Sequence, residues 1–326
     1  MSKIITIIGA TGIQGGSVVN ALLSNPDSNY TLRAITRNPS SPAAVALREK
    51  GIEVVRADVH DLPSLISAFA GSHAIFAVTT PFESLPKLGI EKAMAAETEA
   101  GINLAKAAAA TSTLEHYIWS TLPDSKRISG RSVSVPYYAS KRAVDEFIKT
   151  NLKGLWAKTT FLWIGCYASN MGVPLYHPSP VYGMDGGRTY VTFINVDPST
   201  KMPLAGDETV NVGLFAKAIL EKPQLTLPGK IVSCVVEERA FGDVVETFGR
   251  VKGVQARALR IAREDYRALW PVVGDVLDTS MVYFKTVGGK AFSASVEGDD
   301  VLTSADLGIE GLVGMEEAFE RLPLLG

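Results

Sequence analysis

A parallel sheet doubly wound by helices, followed by a smaller C-terminal α/β lobe, is the architecture this 326-residue sequence predicts. Three observations predict it. Short β-branched runs alternate with longer amphipathic or alanine-rich stretches through the first half, the pattern of parallel strands joined by crossover helices. A glycine-rich turn sits at the first junction of strand and helix. After about Leu162 the texture shifts to Gly-, Pro- and Tyr-rich sequence, Tyr167 to Pro203, without a clear period, which suits loops and a small lobe over a site.

Strands are expected at Lys3–Ile8, Tyr30–Thr36, Glu53–Arg56, Ala74–Val78, His116–Ser120 and Lys158–Leu162. Several are apolar almost throughout, as strands covered on both faces must be. Helices are expected near Gly15–Leu23, Pro42–Lys50, Leu62–Phe69, Glu91–Ala110 and Tyr138–Asn151. Asp61 supplies an N-cap ahead of Leu62 and Pro63, and Gly51 closes the helix that ends at Lys50.

Composition excludes several classes. Hydrophobic residues at 46% and charged residues at 20% are ordinary globular values, so neither disorder nor a fibre is expected. The net charge of −2, with both signs interspersed, gives no general attraction to a polyanion, so nucleic acid is not expected as a direct partner. Met1 to Ile8 is too short for a secretory leader and no stretch reaches the length of a membrane-spanning helix, so a cytoplasmic protein away from the membrane is the expectation. Cys166 and Cys234 form no disulfide framework, the four histidines are scattered, and no metal is expected.

The turn itself reads Gly9-Ala10-Thr11-Gly12-Ile13-Gln14-Gly15-Gly16. Gly9 permits a tight turn, Gly12 lets backbone approach a pyrophosphate, and Gly15 lets the helix pack closely on the sheet. The helix start then offers free N–H groups and positive partial charge to phosphates. This is the dinucleotide fingerprint of a Rossmann domain. At the end of the second strand, where an acid would hold a free ribose, the sequence carries Arg37 instead, whose fork of donors suits a 2′-phosphate. NADP(H) is therefore the expected cofactor. Asp58 and Val59 follow the third strand, where a carboxylate meets the adenine amino group or simply forms a turn. Thr79 and Thr80 follow the fourth, where short side chains let the cofactor lie close or merely end the strand.

The fifth strand ends at Ser120, and further on comes Tyr137-Tyr138-Ala139-Ser140-Lys141-Arg142. On a helix Tyr137 and Lys141 lie one turn apart on a common face. A neighbouring ammonium lowers a phenol's pKa and makes it a proton donor to a carbonyl, while Ser120 hydrogen-bonds the substrate oxygen. Tyr138 with Arg142 has the same spacing, so the register stays open. Lys141 also suits the nicotinamide ribose. Lys126, Arg127 and Arg131 are either a solvated cluster or a greeting for an anionic substrate.

With these residues in view, the chain resembles the NmrA-like group of atypical short-chain dehydrogenases. The residues carrying the resemblance are Gly9 to Val18, Thr36-Arg37-Asn38-Pro39, Val78 to Ser84, Lys141 and Ile164 to Asn170, with later echoes at Asn211-Val212-Gly213 and Glu264-Asp265-Tyr266. It implies cofactor contacts at Gly9, Thr11, Gly12, Ile13, Gln14, Arg37, Asp58, Thr79, Lys141, Tyr167 and Asn170. It also implies a Rossmann domain over residues 1–163, joined by segments from about 205–262, and a substrate lobe from 164–204 and 263–326. Some members reduce small carbonyl or enone compounds with NADPH, including in secondary metabolism; others sense NADP(H) and act by binding proteins. Tyr137 favours the first class here, with a small-molecule substrate, and a protein partner or a homodimer is left open.

Overall fold

The computed structural model describes residues 2–25, 29–184, 186–293 and 300–324. Its strands are β1 (Lys3–Ile8), β2 (Tyr30–Thr36), β3 (Glu53–Arg56), β4 (Ser72–Ala77), β5 (His116–Thr121), β6 (Thr159–Ile164), β7 (Cys166–Tyr167), β8 (Ser179–Tyr182), β9 (Arg188–Ile194), β10 (Lys201–Gly206), β11 (Lys230–Cys234), β12 (Glu237–Ala240), β13 (Ala256–Arg260) and β14 (Val301–Leu302). Its helices are α1 (Ile13–Leu23), α2 (Pro42–Glu49), α3 (Leu62–Phe69), α4 (Leu85–Ala109), α5 (Ser125–Ile128), α6 (Pro136–Asn151), α7 (Lys153–Trp156), α8 (Glu208–Glu221), α9 (Pro223–Thr226), α10 (Phe241–Val251), α11 (Arg263–Leu269), α12 (Val273–Val287) and α13 (Met315–Glu320).

Eight strands form one parallel sheet in the order β14-β11-β6-β5-β4-β1-β2-β3. The chain starts at β1, winds outward through β2 and β3, and returns to build the other half from β4. This is the Rossmann order, and its switch point lies between β1 and β4, where ligands of such sheets gather. Side chains alternate between two apolar faces. Ile5, Ile7 and Ile118 pack with Val18, Val19 and Leu22 of α1 and Phe215 and Ile219 of α8. Ile75, Tyr117 and Trp119 pack with Leu65 of α3, Leu104 of α4 and Val144 and Ile148 of α6. Ser17 of α1 accepts a hydrogen bond from the Gly213 amide of α8 at 2.8 Å, so α1 is pinned from behind.

Local chemistry accounts for the boundaries. Asp61 caps α3 by accepting from Ser64 N, Ser41 caps α2 by accepting from Ala44 N, and Asp207 caps α8 by accepting from Thr209 N. Gly51, at φ +80, follows the last residues of α2.

Beyond the carboxyl ends of the large sheet stand two three-stranded sheets, β12-β10-β7 and β13-β9-β8. A second core lies between them and the sheet, built on Phe241, Phe248, Tyr283, Phe284 and Phe319, and it takes Tyr138 and Trp163 from the first half of the chain.

Two expectations need correction. The stretch from Tyr167 to Pro203 is not loop throughout: β8 and β9 pair antiparallel within it, with Gly183 N donating to Gly187 O at the turn. Arg188–Ile194 is rich in β-branched and aromatic residues, a strand composition hidden by the prolines and glycines around it. The helix expected from Glu91 begins at Leu85 but breaks at Gly89 (φ 75, ψ 171), which makes residues 85–88 a separate turn.

Candidate functional site

At the switch point β1 ends in Ile8, and Gly9 turns the chain with φ +69. The Gly12 amide donates to Gly9 O at 2.8 Å, closing the loop. A Cβ on Gly15 would stand 2.3 Å from Gly9 O and 2.7 Å from Ala10 N, so only a hydrogen fits where the helix passes under the loop. Gly12 caps α1 without any side-chain bond, so the first amides of the helix face outward with no carbonyl one turn back. Thr11, Gly12 and Ile13 are exposed there, Ile13 as an apolar residue. Gln14 Nε2 donates to the Tyr167 hydroxyl on β7, and Gln14 Oε1 is buried with no partner among the described residues. A free helix start with outward N–H groups, over a loop that Gly15 can pass only without a Cβ, fits a dinucleotide pyrophosphate.

Outward from this loop, Arg37 follows β2 and points its Nη2 at Glu83 Oε2, 3.3 Å away; both side chains are more than two-thirds exposed. Asp58 acts as a turn former, its Oδ1 accepting from His60 N at 3.0 Å while its own amide donates to Ser64 Oγ. The Val59 carbonyl accepts from Asn103 Nδ2 of α4 at 3.1 Å. Thr80 is exposed and its hydroxyl oxygen accepts from Phe82 N. Asn170 lies half-buried in the 3-10 turn Ala168–Gly172, beside Tyr167.

Inward, α6 brings Lys141 under the ends of β4 and β5. Its Nζ donates to Thr79 O at 2.8 Å and Thr79 Oγ1 at 3.1 Å, lies 3.5 Å from Ser120 O, and sits 5.2 Å over the Trp119 ring. The ammonium is matched by Glu97 of α4, whose Oε1 is 3.2 Å away; the two side chains are 8% and 1% exposed. Glu97 also accepts from Thr79 Oγ1 at 3.1 Å and from the Ser140 hydroxyl. The sequence reading missed Glu97. A signal was available, since Ala93, Glu97, Ala100 and Leu104 share one helical face and all are buried, and a carboxylate on a buried stripe needs a partner.

Tyr137 does not receive the help expected from Lys141. Its hydroxyl accepts from Ser280 Oγ of α12 at 3.0 Å, and its ring packs edge-on against Phe82 and Tyr138. Burial pushes the phenol above its ordinary range, outweighing hydrogen bonds from Ser280 and with Tyr138 that pull it down; Lys141 is occupied by Glu97 and Thr79. Of the two tyrosines, Tyr138 belongs to the second core at 2% exposure, while Tyr137 is half-buried and packs against that core and against Leu85, Ala93 and Val276. Tyr266 of α11 is buried nearby with its hydroxyl unpartnered among the described residues. Ser120 is buried at the end of β5.

One turn beyond Lys141, Asp145 accepts from Trp119 Nε1 and Thr121 Oγ1, both at 2.8 Å. Burial pushes its carboxyl from 3.8 up to about 7, against the pull of Arg142 and these donors. Because the folded value lies above the unfolded one, the stability this proton brings is complete below about pH 3.8 and is lost as pH rises through about 7. Asp145→Asn is expected to exceed the parent in urea midpoint at pH 8, with the difference shrinking towards pH 4. A difference independent of pH would refute the assignment.

Among the described residues no group of three His, Cys, Asp or Glu side chains is arranged to hold a metal ion, and no helix is long and apolar enough to cross a membrane. Cys166 is half-buried, its thiol pushed up to about 12 by burial.

Comparison with known proteins gives consistent findings. The model of the NmrA-like family matches residues 1–303. The NmrA-like family domain-containing oxidoreductase hkm9 of Aspergillus hancockii is 30% identical over 264 residues, covering 78% of this chain and 74% of that protein. Its counterpart himF of Aspergillus japonicus is 29% identical over 275 residues, covering 80% and 76%. Among solved structures, NmrA, a negative transcriptional regulator in complex with NADP, superposes with a TM-score of 0.70 at 21% identity, covering 99% of this chain and 96% of that one. An NADPH-dependent quinone oxidoreductase from Escherichia coli complexed with NADPH gives 0.68 at 18% identity, covering 97% and 99%. At these identities the two structures share the fold.

Proposed function

As the chain belongs to the NmrA-like family, we propose that it is an NADP(H)-dependent oxidoreductase of the cytoplasm acting on a small carbonyl or enone compound. The observation that carries this is the open start of α1 over a loop that Gly15 can pass only without a Cβ, at the sheet's switch point, with Arg37 on one side and Lys141 on the other. The names of hkm9 and himF, both oxidoreductases, support the catalytic reading over cofactor sensing.

In this reading residues 9–14 hold the pyrophosphate, Arg37 the 2′-phosphate, Asp58, Val59, Thr79 and Thr80 the walls of the crevice, and Tyr167 and Asn170 its inner end. The bound cofactor supplies a hydride. Lys141 fixes the nicotinamide ribose with an ammonium held in place by Glu97. Tyr137 gives its proton to the substrate oxygen, with Ser280 donating to the phenol oxygen at 3.0 Å. Ser120 hydrogen-bonds the same substrate oxygen. The substrate lobe takes residues 164–204 and 263–293 and contributes Ser280 and Tyr266 beside Tyr137, while Val301–Leu302 returns to the edge of the large sheet.

The test is calorimetry with NADPH and NADP+, followed by deuteride transfer from labelled NADPH across a panel of carbonyls and enones. Tyr137→Phe is expected to lower kcat by about a hundredfold or more while NADPH affinity holds. Full turnover in that variant would remove Tyr137 from the chemistry. Cofactor binding without label transfer to any compound would turn the reading to a sensor.

A further inference from the structure

We propose that Glu83 tunes the choice between phosphorylated and unphosphorylated dinucleotide by competing with the 2′-phosphate for Arg37, an inference that rests on the reading of Arg37 given above. Arg37 directly follows β2 and Glu83 lies beyond β4, and β1 with its glycine loop runs between those two strands. Neighbouring strands are about 4.8 Å apart, so the two long side chains meet across the mouth of the crevice above β1. Their 3.3 Å contact joins the guanidinium expected to read the phosphate to a carboxylate already in the protein.

Arg37 is the one charged residue from Thr36 to Ser41, and the neighbouring Arg48 guanidinium is turned to the Pro39 carbonyl, to which its Nη2 donates at 2.8 Å. Glu83 is presented by a fixed turn. Ser84 N and Leu85 N donate to Pro81 O at 3.1 and 2.9 Å, the Ser84 hydroxyl donates to the same oxygen, and Leu85 is fully buried. On the other flank Phe82 packs its ring against Tyr137, with centroids 5.4 Å apart. The carboxylate is thus held at the crevice by neighbours anchored on both sides.

The charge consequences follow from this placement. A 2′-phosphate brings strong negative charge to a guanidinium already partly neutralised, so it must displace Glu83 or share Arg37 beside a like charge. A ribose with a free 2′-hydroxyl meets no such conflict, and a carboxylate is the group that suits it. Glu83 therefore weakens NADPH relative to NADH. The pair is exposed, which limits the effect to the range of surface ion pairs.

The experiment measures dissociation constants for NADPH and NADH, and for the truncated probes 2′,5′-ADP and 5′-AMP, in the parent, Glu83→Gln, Arg37→Ala and the double variant. Both positions are exposed, and thermal melts verify that each variant folds. In Glu83→Gln the ratio of NADPH to NADH affinity is expected to rise roughly two- to fivefold, with the same trend in the truncated pair and a smaller gain at high salt. In the Arg37→Ala background that gain is expected to shrink. An unchanged or lowered ratio in Glu83→Gln, while Arg37→Ala lowers it, overturns the role of Glu83 and leaves Arg37 standing. A ratio indifferent to Arg37→Ala overturns the reading of Arg37 and this proposal with it.

Discussion

Glu97→Gln is expected to lower the thermal midpoint by about 5 °C and to abolish tight NADPH binding. The carboxylate and the Lys141 ammonium are both buried, and Glu97 accepts three donors, from Thr79, Ser140 and Lys141. Removing one partner of such a pair leaves a charge without compensation in a dry environment, at a cost of about 3–5 kcal/mol. Glutamine keeps the shape and one acceptor, so the loss reports charge rather than volume. Glu97→Leu combined with Lys141→Met provides the control. Two apolar residues of similar size recover most of the stability, while NADPH affinity stays low because the ammonium is gone. Urea denaturation and calorimetry on the parent, Glu97→Gln and the double variant separate the two effects. If Glu97→Gln melts within about 1 °C of the parent, the pair is not the compensated unit described here.

That pair also marks where sequence reading stops. The Rossmann half was legible because its signals are local: β1, β2, β3 and α3 fall at the boundaries expected from strand composition, caps and glycines. The geometry of the glycine loop was legible for the same reason, since each glycine answers a constraint imposed within a few residues. Glu97 and Ser280 were not, because their partners Lys141 and Tyr137 lie 44 and 143 positions away along the chain. The helical spacing of Tyr137 and Lys141 suggested that one acts on the other. It fixes a shared face, but which groups each side chain meets is decided by α4 and α12, packed against that face. Asp58 shows a milder case: a turn role and an adenine role were both open, and the backbone contacts to His60 and Ser64 show the turn role formed. The C-terminal lobe was least legible, since β8 and β9 are short strands between prolines and glycines and their pairing is local only once the turn exists.

The second large effect is expected at Gly15. In Gly15→Ala the new methyl stands 2.3 Å from Gly9 O and 2.4 Å from Gly9 C, contacts that real Cβ atoms do not make, so either α1 or the loop after β1 must move. Backward movement of α1 is opposed by α8, which crosses it closely enough for the Gly213 amide to reach Ser17 Oγ. The loop therefore gives way, and it is the loop proposed to hold the pyrophosphate. Overpacking of this kind costs about 1–3 kcal/mol, equivalent to roughly ten- to a hundredfold in NADPH affinity if all of it falls on binding. Gly16→Ala is the matched control one residue on, where the methyl comes no closer than 3.6 Å to Ala10 O. At a helical position with room, alanine is expected to stabilise by up to about 1 kcal/mol and to leave NADPH binding intact. Calorimetric affinities and urea midpoints for both variants decide the matter. Equal behaviour of the two would mean that the contact between helix and loop does not shape the cofactor cradle; divergence in the stated direction ties the binding function to the absence of a single methyl group.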